Sequence, residues 1–278
     1  MKWLFVLFLA IIIFGGAAWF GYNFVFKQDI QVAKEQRGEV TPEPRIDLTL
    51  PEFEAAAKLR QEGKIPEARA ALATFVQKYP ASPSAEAAKD LLGEVNIDIF
   101  LSRTPSPEKE EYIVKPGDVI MRVAHKMKST PELIMRMNNM SSTMLHIGEH
   151  LLISHPDFAI VVQRKQNILI LLNHGGFFKQ YHIGELKLPA KGSAKVQTKV
   201  AEVMAWRDGK RVGFGTKEFI GSTRWIRLGS QAYTIYSMPD SAHATVQPPP
   251  PQGIGLPAAD VEELSSLVNN KTPVTITD

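Results

Sequence analysis

The chain has 278 residues, 44% of them hydrophobic and 22% charged, with a formal charge of +3; that is room for two or three small domains rather than one large one. There is no cysteine, which excludes disulfides, thiolate metal sites and a thiol nucleophile. The basic residues are scattered, with no basic helix and no zinc-finger spacing, so nucleic acid is not expected as a partner.

Residues 3–26 form a run without a charged side chain. At about 1.5 Å per residue a helix of this length crosses a bilayer core of about 30 Å. Trp3, Trp19 and Tyr22 suit the interfacial belts. Gly15-Gly16-Ala17-Ala18 resembles the small residues of a signal-peptide cleavage site, yet bulky residues 19–26 continue the apolar run. The expectation is an uncleaved transmembrane anchor over residues 1–26. Lys2 on one side and Lys27, Lys34 and Arg37 on the other leave its orientation open.

Residues 27–51 are a polar linker in which Thr41-Pro42-Glu43-Pro44 reads as a short stiff stalk. A helical segment follows over residues 52–100. Phe53, Ala56, Ala57 and Leu59 share one face, Glu62-Gly63-Lys64 turns the chain, and Pro66 opens a second helix carrying Ala68, Ala71, Leu72, Phe75 and Val76 at helical spacing. Residues 83–100 give a third. The pattern resembles one and a half tetratricopeptide repeats, which implies either a spacer or a groove for a protein partner. Residues 101–111 read as a charged linker. Residues 27–111 carry 12 Lys/Arg against 16 Asp/Glu, whereas residues 112–278 carry 19 against 13; the C-terminal part is therefore drawn weakly to polyanions.

Residues 112–155 hold the most specific signal. Tyr112-Ile113-Val114 reads as a strand, Lys115-Pro116-Gly117-Asp118 as a turn, and Asp118 as the cap of a helix starting at Val119. Thr130-Pro131-Glu132 opens a second helix, with Thr130 as cap. Asn138-Asn139 ends it, and Leu145-His146-Ile147-Gly148-Glu149-His150-Leu151-Leu152-Ile153 returns as a strand. This strand–helix–helix–strand string resembles a LysM domain. The resemblance implies binding of N-acetylglucosamine-containing glycan, chiefly peptidoglycan. It places the groove at Gly117, Asp118, Val119, Ile120 and Met121 on one side and Met144, Leu145, His146 and Ile147 on the other. Asn138 reads as a helix-end residue rather than a ligand.

From Phe158 the hydrophobic period becomes two, with strands at 159–162, 168–172, 177–184, 195–206, 224–228 and 232–236. Gln166-Asn167, Asn173-His174-Gly175-Gly176 and Asp208-Gly209 supply the turns. A helix over 257–268 and a strand over 273–276 close the chain. Thr223-Arg224-Trp225-Ile226-Arg227-Leu228-Gly229, then Tyr233-Thr234-Ile235-Tyr236-Ser237, and finally residues 253–276 make residues 158–278 resemble an L,D-transpeptidase catalytic domain. In that family a cysteine performs the acyl transfer. Aligned on Ile254 and Leu256, the cysteine position is Gly253, the arginine position Gly255 and the histidine position Pro251, and the upstream Ile-His-Gly is Ile235-Tyr236-Ser237. A glycine has no side chain to attack with.

The fold expected is therefore multidomain α+β: a transmembrane helix, a tetratricopeptide-like helical segment, a βααβ LysM domain and a mainly-β transpeptidase-like domain. The function expected is peptidoglycan binding at the bacterial cell membrane, with residues 27–278 in the wall space and no catalytic residue, metal or cofactor. The alternative is a transpeptidase or hydrolase using non-cysteine chemistry, for which Ser237, Ser241 and His243 are the nearest candidates.

Overall fold

The computed structural model describes residues 47–104, 108–188, 195–229, 233–239 and 252–278. The expected membrane span, most of the 27–51 linker, Ser241, His243 and the Pro248–251 run lie outside them. Among the described residues no helix is long and apolar enough to cross a membrane.

Helices α1 (Leu50–Gln61), α2 (Ile65–Lys78) and α3 (Ala85–Leu101) fall where the sequence places them. Pro51 and Pro66 sit in first turns, where a missing N–H costs nothing. Phe75 is fully buried among Ala56, Leu72, Ala88, Leu92 and Val95, with the Phe53 and Tyr79 rings 5.8 and 5.3 Å away. Helix α3 has a second apolar face. Ile97 and Phe100 belong to the core of the C-terminal sheet, and Phe100, Phe158 and Phe178 meet edge to face. Asn96 donates to the Phe178 carbonyl at 2.7 Å.

The linker expected over 101–111 is also shorter than its composition suggests. Strand β1 (Lys109–Ile113) takes its last residues, because the Lys109 ammonium donates to the carbonyls of Ile99, Ser102 and Thr104 and ties the strand to the end of α3. Then come α4 (Ile120–Lys126), α5 (Pro131–Met137) and β2 (His150–Ser154), which pairs antiparallel with β1. Helix α5 serves two cores. Ile134 joins Tyr112, Val123, Leu151 and Ile153, while Leu133 and Met137 face the sheet core.

The rest is one mixed sheet with a helix on it. Its strands are β3 (Phe158–Gln163), β4 (Ile168–Asn173), β5 (Gly176–His182), β6 (Glu185–Lys187), β7 (Lys195–Arg207), β8 (Lys210–Val212), β9 (Thr223–Leu228), β10 (Thr234–Ser237), β11 (Gly253–Leu256) and β12 (Pro273–Thr277), with α6 (Ala258–Leu267) before the last. The spatial order is β5-β4-β3-β12-β7-β9-β10-β11-β6, and β8 pairs with β7. The strand that closes the chain thus lies inside the sheet, parallel to β3 and antiparallel to β7. Asp208 and Gly209 both take positive φ, as a two-residue hairpin between β7 and β8 requires.

Buried charge joins three segments. The Lys179 ammonium on β5 lies 2.6 Å from Glu94 of α3 and 2.8 Å from Glu263 of α6, and the Tyr181 hydroxyl donates to Glu263. Gly93 lets α3 come this close: a Cβ there would lie 2.8 Å from Lys179 Cγ and 3.2 Å from its Cα. Burial alone would lower the Lys179 pKa, but Glu263 and Glu94 outweigh it and hold it above its ordinary 10.5. Burial, then Glu263, push the Tyr181 phenol well above its ordinary 10.0. Both groups therefore keep protons in the folded state that the unfolded chain releases. Their contribution is complete below about pH 10 and is lost as pH rises through the folded values. The urea midpoint is expected to fall as pH rises above about 10, with a shallower fall in Tyr181→Phe; a flat profile would show that the network does not couple to folding.

Candidate functional site

In the LysM domain two loops are pinned together by backbone bonds on Val114. Its N–H donates to the Glu149 carbonyl and its carbonyl accepts from Gly148, both at 2.9 Å. The second loop is shaped by its own turn: Glu149 N–H donates to the His146 carbonyl, and His146 N–H donates to the Glu149 carboxylate. These bonds tie the end of β1 to the turn that leads into β2.

The expected groove residues divide by burial. Val119, Met121, Met144 and Ile147 are 51%, 58%, 68% and 72% exposed. Four large apolar side chains are thus open to solvent on this small domain. Gly117 and His146 are exposed beside them. Ile120 is 3% exposed and belongs to the LysM core, and Leu145 packs against that core half-buried.

Asp118 is not the helix cap that the sequence suggests. Helix α4 starts one residue later than expected, with Val119 at its cap position and no side-chain cap. The Asp118 carboxylate instead accepts from Lys115 N–H at 2.8 Å and from the Tyr112 hydroxyl at 2.7 Å. Those two bonds close the turn on itself and hold the carboxyl below its usual range. Thr130 does cap α5, accepting from Leu133 N–H, while its hydroxyl donates to the Ser266 carbonyl of α6 at 2.6 Å. Asn138 bonds the Ile134 carbonyl and both backbone groups of Leu152, so it is structural.

The second place of interest is where the sequence resemblance puts a nucleophile. Gly253 and Gly255 lie in β11, between β10, to which it runs parallel, and β6. Neither glycine has room for a side chain. A Cβ on Gly253 would lie 2.2 Å from the Thr234 carbonyl oxygen and 3.1 Å from the Tyr236 ring. One on Gly255 would lie 2.9 Å from Met238 Cγ and 3.1 Å from both Glu185 Cβ and Tyr236 Cζ. Tyr236 is fully buried, and its hydroxyl donates to Glu185. Burial, then that carboxylate, push its pKa far up, so it stays neutral. Ser237 is buried too and donates its hydroxyl proton to the Arg224 carbonyl at 3.0 Å. The sequence showed Tyr236 as a lost histidine position; what it could not show is that the ring fills the space.

The two regions are joined by residues the sequence did not single out. Phe214, in the loop after β8, packs against the LysM core and meets Phe219 edge to face at 5.1 Å. Arg224 lies under α5, 3.7 Å from Glu132 and stacked over the Phe219 ring. Arg136 bridges Glu132 and Glu262. Burial still holds the Glu132 carboxyl above its usual range, against the pull of Arg224 and Arg136.

Residues 112–154 match the LysM domain family model, and that stretch is a LysM domain. No curated protein matches the chain. Among solved structures, an Enterococcus faecium L,D-transpeptidase is similar at 15% identity and a TM-score of 0.29, over 43% of this chain and 49% of that one. An L,D-transpeptidase from Mycobacterium smegmatis is similar at 9% identity and a TM-score of 0.31, over 48% and 65%. One from Mycobacterium tuberculosis is similar at 14% and 0.31, over 48% and 63%. The chain thus spans about half to two thirds of the lengths of the structures it resembles.

Proposed function

We propose that this is a peptidoglycan-binding protein of the bacterial cell envelope, anchored by residues 3–26, with residues 27–278 in the wall space and a C-terminal domain that performs no transpeptidation. The observation that carries the reading is the exposure of four large apolar side chains, Val119, Met121, Met144 and Ile147, on the loops that follow β1 and precede β2 of the LysM domain. Acetamido methyls and sugar faces need a shallow apolar floor, and exposed backbone in the loops can bond the amides and hydroxyls. A contact this small supports weak affinity, on the order of 10⁻⁴ M. Chemistry is argued against by the absence of cysteine and by the carbonyl and ring that stand where a side chain on Gly253 would go.

Met144→Asp and Ile147→Asp test the groove. Both side chains project into solvent, so folding is expected to be intact while retention on insoluble peptidoglycan falls by about tenfold or more. Unchanged retention would move the contact elsewhere. The anchor is tested separately with protease on spheroplasts: degradation and a mature chain that retains Lys2 are expected. Protection would reverse the topology, and a mature N-terminus near Trp19 would mean cleavage.

A further inference from the structure

A cavity of about 650 Å³ adjoins the glycan groove, and Met121 lines both. It is walled by the start of α5, by β7 and the 211–214 turn, and by the end of α6. The volume is that of a ligand site able to take a few residues of peptide. We infer that this cavity is a second subsite of the same surface, taking the carboxylate-bearing peptide that hangs from the glycan strand. The inference rests on the groove reading above and extends it.

Val203, Val212 and Phe214 give the cavity apolar wall, and Asn269 and Asn270 give it amides that can both donate to and accept from a peptide backbone. Its charge is specific. Glu202 accepts from Arg211 and also from Arg227 at 3.4 Å. Two guanidiniums therefore share one carboxylate, leaving one positive charge that a ligand carboxylate completes, with Arg211 in the wall and half exposed. The other wall carboxylate, Glu132, is paired to Arg136 and Arg224 and does not cancel it. N-acetylglucosamine is uncharged and offers nothing to a guanidinium excess, whereas a peptide chain supplies both carboxylate and amides. One polymer would thus be read twice, its sugars on Val119, Met144 and Ile147, its peptide beyond Met121.

The experiment titrates the full chain in detergent with three soluble probes: an N-acetylglucosamine oligomer, a glycan oligomer of the same length bearing tetrapeptides, and the free tetrapeptide. The peptide-bearing glycan is expected to bind about tenfold tighter than the bare one. Arg211→Ala, which removes the cation, and Asn270→Trp, which fills the cavity from an exposed position, should erase that advantage and leave bare-glycan binding unchanged. Equal wild-type affinity for the two glycans, or variants that weaken both alike, would overturn the subsite. Failure of the bare glycan to bind would instead strike the groove reading. The free tetrapeptide then decides the cavity: binding that disappears in Arg211→Ala supports it, and no binding refutes it.

Discussion

Gly253→Cys is expected to destabilise the C-terminal domain rather than confer acyl transfer. The new Cβ would lie 2.2 Å from the Thr234 carbonyl oxygen, a backbone atom held in register by the β10–β11 pairing. No rotamer change relieves such a contact, so the strand pair must separate or Thr234 must lose its place. Overpacking in a close-packed core costs about 1–3 kcal/mol, and a clash with backbone belongs at or above the top of that range. The urea midpoint should fall accordingly, and mass spectrometry of tetrapeptide muropeptides should find no cross-linked product. Gly253→Ala is the control that separates sterics from sulfur: it should lose about as much stability. Should the cysteine variant fold with wild-type stability, the account of this strand would be wrong.

Lys179→Ala should be the most damaging change on the other side of the sheet. It removes the one cation between Glu94 and Glu263, and Tyr181 and Asp260 lie in the same field. Breaking a buried pair by removing one partner costs about 3–5 kcal/mol, because the carboxylates left behind are poorly solvated. Glu94 is half exposed and can turn to water, so the lower end is expected. An exposed pair of similar geometry, Arg60 with Asp98, supplies the comparison: Arg60→Ala should cost under about 1 kcal/mol. Because Lys179 ties α3 to both β5 and α6, the variant should also loosen the helical segment, seen as faster amide exchange in α3. Equal losses for Lys179→Ala and Arg60→Ala would show that the network contributes nothing special.

Local structure was legible wherever a residue's chemistry acts over a few positions. Asp208-Gly209 and Asn173-His174-Gly175-Gly176 announce hairpins by their tolerance of positive φ, and the structure turns there. Thr130-Pro131 announces a capped helix, and Thr130 caps it. Asp118 was misread because capping and turn closure both need an acidic side chain next to a free N–H, and the nearer donor, Lys115, together with the Tyr112 hydroxyl, takes the carboxylate. Long-range packing was not legible. Helix α5 reads as amphipathic with one face, yet Leu133 and Ile134 are neighbours that serve different cores. Likewise nothing in the spacing of 85–101 says that Ile97 and Phe100 lie against a strand more than fifty positions later. The groove residues are named by resemblance alone, and burial divides them into exposed side chains and side chains that pack in the LysM core.

The central claim is binding without transpeptidation. The direct measurement incubates the full chain in detergent with insoluble peptidoglycan rich in tetrapeptides, sediments it, and compares protein in the pellet with muropeptides released from the washed wall. The account predicts protein in the pellet, reduced by Met144→Asp, and a muropeptide profile identical to that of untreated wall. Newly cross-linked or trimmed muropeptides made by the wild-type protein would contradict it.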